Sequence, residues 1–213
     1  MNTTVAFLAQ TLAIFMGFFT RVVFTRTLSE GYVGINGLFT DILNILSLSE
    51  LGVGTAITYA LYAPIARRDI KKQQILMRMF RNFYRITAGF VLLAGLCLIP
   101  FLDILMKDRP DVNHLIIIYL LYLLNSVVSY LLIYKKTLVD AHQMNYITVM
   151  YHNGFLVLQD ILQIMVLFLT RNFILFLVIA VICTIIGNIC MSRRADRLFP
   201  YLKEPCKEQL PQE

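Results

Sequence analysis

The sequence predicts an all-α, polytopic membrane protein with six spanning helices, and three observations carry that expectation. Of its 213 residues 58% are apolar and 15% charged, its mean hydropathy is +0.70, and the apolar residues gather in runs long enough to cross a bilayer. A water-soluble domain carries about 25% charged residues, because water must wet most of its surface; this chain lacks the charge to be covered that way. A disordered chain would be polar, and a net charge of 19 − 13 = +6 scattered among lipid-length apolar runs makes no nucleic-acid interface.

A spanning helix needs about 20 mostly apolar residues. Six runs qualify, at 5–24, 38–62, 86–106, 115–138, 147–169 and 173–191, and together they make a transmembrane lobe over 1–192. The first has no basic residue before it, is too long for a signal-peptide core and ends in Thr20-Arg21 without a small-x-small cleavage site, so it stays as a membrane helix. Between the second and third runs lies a basic amphipathic segment, 66–82, leading into Arg85. There Arg78, Arg81 and Arg85 recur at i, i+3 and i+7 beside Leu76, Met79 and Phe80, the pattern of a helix at the inner interface. The fourth run opens Leu115-Ile116-Ile117-Ile118-Tyr119-Leu120-Leu121, which does not alternate as a barrel strand would. After Ser192 comes a polar tail, 193–213. The tyrosines cluster at span ends, where an interfacial belt is expected.

Orientation follows from the basic residues, which gather in cytoplasmic loops. With the N-terminus inside, 14 of the 19 Lys and Arg fall on inner segments, and Arg21, Arg26, Lys107, Arg109 and Arg171 fall outside. Both termini are expected at the cytoplasmic face. Cys97, Cys183 and Cys190 sit in apolar runs, Cys206 lies in the tail, and no pair has metal or redox spacing.

The stretch Arg26-Thr27-Leu28-Ser29-Glu30-Gly31-Tyr32-Val33-Gly34-Ile35-Asn36-Gly37-Leu38-Phe39 runs into Leu46-Ser47-Leu48-Ser49-Glu50-Leu51-Gly52-Val53-Gly54-Thr55-Ala56-Ile57 and Tyr59-Ala60-Leu61-Tyr62-Ala63-Pro64. It resembles the N-terminal lobe of bacterial polysaccharide flippases, the Wzx-like branch of the multidrug/oligosaccharidyl-lipid/polysaccharide exporter superfamily. Tyr84-Arg85-Ile86, Leu124-Asn125-Ser126-Val127-Val128-Ser129-Tyr130 and Tyr134-Lys135-Lys136-Thr137-Leu138 extend the likeness over most of the chain. The resemblance implies a multi-pass protein of the bacterial inner membrane, in surface polysaccharide biosynthesis, that moves an oligosaccharide on polyprenyl pyrophosphate between leaflets by rocking two lobes. This sequence supplies one lobe, so a second lobe or a second copy is expected to complete it. The resemblance also leaves room for a cation-coupled multidrug exporter lobe of the same superfamily, or for a non-transporting partner subunit.

Each candidate residue has a functional and an ordinary reading. Arg21 and Arg26 either meet a pyrophosphate from the cavity side, with the planar guanidinium giving two hydrogen bonds, or stay near the interface, with Arg21 pairing to Asp41 at similar depth. Arg78, Arg81 and Arg85 either hold anionic headgroups or express the ordinary inner-side excess of positive charge. Glu50 and Asp160 reach the midplane, with Asn125, Gln159 and Gln163 at similar depth. An ionised group there faces a cavity or a partner. They are therefore read, with Asp41, either as ion-coupling sites or as polar glue between helices. His114, His142 and His152 share no metal spacing, and no P-loop is present. Asp103, Asp108 and Asp111 border a turn too short to form a pocket, so neither an enzyme nor a metal or cofactor site is expected.

Overall fold

A computed structural model describes residues 2–47, 53–102, 112 and 114–203, and among them eight α-helices and no strands. In chain order they are α1 Asn2–Thr27, α2 Glu30–Ser47, α3 Val53–Ala66, α4 Ile70–Leu98, α5 Leu115–Leu131, α6 Ile133–Ala141, α7 Asn145–Thr170 and α8 Phe173–Leu198. The all-helical expectation holds, for the reason that a helix alone satisfies its own backbone within one apolar segment. Among the described residues four helices are long and apolar enough to cross a membrane: Phe7–Thr27, Ile70–Phe101, Asn145–Thr170 and Phe173–Leu198. The pair α5 and α6, bent by 42°, makes a fifth when counted as one span. The expected second span, 38–62, divides between α2 and α3, with 48–52 outside the described residues, and the polar Asn36, Asp41 and Asn44 dilute α2.

The turns between helices have local causes. Asp69 caps α4 by accepting from the Lys72 N–H at 3.0 Å. Arg171 adopts a left-handed conformation (φ 49°) and closes α7, while Asn172 caps α8 by accepting from the Ile174 N–H at 2.9 Å. A two-residue turn therefore sets α7 and α8 antiparallel. No Gly or Pro interrupts α4 before Gly89, so the basic segment 66–82 is not a separate interfacial helix. Its residues from Ile70 onward form the opening turns of the same 29-residue helix that carries the third span.

α1 packs along α7, α7 along α8, α8 along α5 and α5 along α4, with α2 resting on α5 and α4. α4 and α5 meet closely at Gly95 on α4. The Tyr119 hydroxyl donates to its carbonyl at 2.7 Å, and a Cβ at position 95 would overlap a Leu123 methyl. Gly95→Val is therefore expected to destabilise the protein by about 1 to 3 kcal/mol through overpacking, and Leu123→Ala in the same chain should return part of the loss. Thermal unfolding in detergent checks both. Away from these contacts the helices present apolar side chains outward, with Leu169 76%, Ile86 71% and Phe7 69% exposed. Faces of that kind suit lipid, not water.

The sequence read as the start of a tail is partly built into the helices. α8 runs through Arg193 and Arg194 to Leu198 because Ala195 and Phe199 are buried and Asp196 pairs with Lys135 Nζ at 2.7 Å. The His142 ring lies 4.3 Å from the Phe199 ring. Tyr201 then donates to Gln73 Oε1 at 2.6 Å, and Gln73 Nε2 donates to the Pro64 carbonyl at 3.2 Å. The last turns thus clasp the α3–α4 connection.

Candidate functional site

α5, α6, α7 and α8 line two open cavities whose mostly apolar walls carry a stripe of polar side chains. The larger, about 270 Å³, takes Ser129 from α5, Lys136 from α6, Thr148 and His152 from α7 and Asn188 from α8. The smaller, about 200 Å³, takes Asn36 from α2, Tyr122 from α5, Gln163 from α7 and Phe176 from α8. Asn125 and Gln159 line both, and so mark where one chamber meets the other.

Helical spacing builds these walls. On α7, Thr148, His152, Phe155, Gln159 and Gln163 follow one another by four, three, four and four residues, which keeps them on one face. On α5 and α6, Asn125, Ser129, Leu132 and Lys136 do the same. Several of these groups are held. Gln163 Nε2 donates to the Phe176 carbonyl at 3.0 Å, Asn188 Nδ2 donates to the Val128 carbonyl at 3.2 Å, and the Tyr122 hydroxyl donates to Asn36 Oδ1. Others are not. Asn125 Oδ1 is buried without a hydrogen-bond partner among the described residues, and the buried Thr148 hydroxyl has only the Asp140 carboxyl beside it. Native interiors leave few such atoms, and each costs about 1 to 3 kcal/mol.

Of the residues expected to bind substrate, only Asn125 lines the cavities. Arg21 is exposed, with its guanidinium 5.7 Å from the centre of the Phe24 ring, and Arg26 is exposed at the end of α1. No ion pair joins Arg21 to Asp41 among the described residues; Asp41 stands exposed on α2. Arg78, Arg81 and Arg85 lie along the first half of α4, apart from both chambers. Among the ion-coupling candidates, Glu50 lies outside the described residues. Asp160 turns away from the chambers toward α1, where Oδ2 comes within 4.0 Å of a Cβ built at Gly17 and Thr20 is its neighbour. The Thr20 hydroxyl donates to the Met16 carbonyl at 3.0 Å, and one turn-pair away Asn153 donates to Gln10 Oε1 at 2.9 Å.

The residues missed by sequence reasoning are Lys136, Ser129, Thr148 and Asn188, together with the site role of His152. The signal that finds them is the polar stripe at spacings of three and four. Among the described residues no group of three or more His, Cys, Asp or Glu could hold a metal ion. Against family models, curated proteins and solved structures, the chain has no match.

Proposed function

We propose that the chain is one lobe of a membrane flippase that carries a lipid-linked oligosaccharide across the bacterial inner membrane, with both termini cytoplasmic and 38–62 as a sixth span. The observation that carries this reading is a stripe of amide and hydroxyl side chains running through two otherwise apolar cavities among apolar helices. Side-chain amides and hydroxyls beside aromatic rings suit sugar hydroxyls and sugar C–H faces, whereas a lipid tail or a hydrophobic drug would leave those polar groups unpaired. The bias of 14 basic residues to 5 toward one side supports the orientation, and it leaves a basic inner face for an anionic lipid carrier. Transport needs no covalent step: the sugar binds from one side, the lobes rock, and the site opens to the other.

The test is reconstitution into vesicles of known copy number with a labelled polyprenyl-pyrophosphate oligosaccharide, scored by accessibility of the sugar from the opposite face. Movement that rises with chains per vesicle, or on adding a completing lobe, is expected. Its absence at every copy number, with the lobe supplied, overturns the reading. Asp160 between α1 and α7 favours a second reading, a cation-coupled exporter lobe. Gradient-driven export of a fluorescent organic cation that Asp160→Asn abolishes would select it.

A further inference from the structure

We propose that the chamber beside Lys136 is a binding site for a hydroxylated ring carrying a single carboxylate, a hexuronate-type sugar unit. Charge sets the first limit. Lys136 is the one side chain lining this chamber that is cationic at every physiological pH, and among the described residues it has no carboxylate at ion-pair distance. Asp140, one turn further along α6, lies close enough to interact electrostatically with that ammonium and offsets part of its charge. What remains matches one unit of negative charge and falls short of a pyrophosphate, which is better served by a bidentate arginine than by a lysine.

Unpaired oxygens set the second limit. Thr148, 3% exposed, sets its hydroxyl beside the Asp140 carboxyl, which leaves the hydroxyl oxygen to accept from a sugar hydroxyl. Asn125 Oδ1, at the far end of the same chamber, is an acceptor only. It requires a donor on the ligand, which a bare carboxylate or a fatty acid lacks and a sugar hydroxyl supplies. Tyr151 and Phe155 add aromatic rings to the wall, which suit the apolar side of a sugar. Size sets the third. A volume of about 270 Å³ lies just under the range of drug-sized sites, so it takes one or two sugar units at a time.

A lipid-linked sugar reaches this chamber only if the proposed transport holds, so free monosaccharides test the site separately. The probes are glucuronate, glucose and inorganic phosphate, measured by saturation-transfer NMR on the full chain in nanodiscs. Glucuronate is expected to bind at least about tenfold more tightly than glucose, and phosphate at equal concentration should not displace it. Lys136→Met should reduce glucuronate binding about tenfold to the level of glucose, Lys136→Arg should keep most of it, and Thr148→Val should weaken both sugars. Equal binding of glucose and glucuronate by the unaltered protein overturns the proposal without any variant. So does displacement by phosphate, which would mark a simple anion site. Glucuronate binding without flipping would overturn the transport reading alone, and flipping of a neutral oligosaccharide without glucuronate binding would overturn this site alone.

Discussion

Gln73→Leu is expected to lower stability by about 1 to 3 kcal/mol, read as a fall in the thermal midpoint in detergent, although leucine is similar in size and position 73 touches neither chamber. Gln73 is 4% exposed and joins three segments: its amide donates to the Pro64 carbonyl at the end of α3, its own backbone is in α4, and its oxygen accepts from Tyr201 beyond α8. Leucine would leave the Tyr201 hydroxyl without its acceptor. The Pro64 carbonyl would suffer less, because it also accepts from the Asp69 N–H at 2.9 Å. Most of the cost therefore sits on Tyr201, and Gln73→Leu with Tyr201→Phe should recover part of it.

The same clasp has a pH signature. Burial pushes the Tyr201 hydroxyl up to about 12 from its ordinary value of 10.0. A tyrosine whose folded value is raised favours the folded state while it is neutral, so its contribution is complete below pH 10 and is lost as pH rises from 10 toward 12. Tyr201→Phe should remove that component: the stability difference between the two proteins shrinks over this window and is constant below it. A difference independent of pH would show that the hydroxyl titrates as an exposed one.

Spans were legible where the evidence for them is local. A predominantly apolar run of lipid length marks α1, α7 and α8, since nothing distant is needed to make such a run helical. The bend between α5 and α6 was not legible. No Pro or Gly lies near Leu132, and the turn there is tied to tertiary contacts, among them the Lys135–Asp196 pair reaching across to α8. The candidate site divides along the same line. Depth along a helix placed Gln159 and Asp160 together, yet adjacent residues on a helix point about 100° apart. Gln159 accordingly lines both chambers, while Asp160 faces α1. Lys136 stands at the end of an apolar run, where a lysine reads as an ordinary flank, and only the packing of α6 against α7 and α8 turns it into a wall of the cavity.

Asn125→Leu is expected to separate stability from transport. Asn125 lies where the two chambers meet, and its Oδ1 is buried without a partner among the described residues, so the folded protein bears the desolvation of that oxygen with no hydrogen bond from them in return. Leucine has similar bulk and no polar atom, and should therefore leave the thermal midpoint unchanged or raise it, by about 1 kcal/mol. Transport should move the opposite way. On the proposed function, a sugar passing from one chamber to the other needs an acceptor at this junction, and an apolar side chain there would leave its hydroxyls unpaired, for an expected fall of about tenfold or more in flipping rate. Gln159→Leu should lower transport similarly, and the two exchanges together should cost less than the sum of their separate effects, because both act on one junction. If Asn125→Leu lowers stability and leaves flipping intact, Asn125 is a packing residue and the junction is no passage. A stable protein with impaired flipping identifies a group kept for the ligand at the expense of the fold.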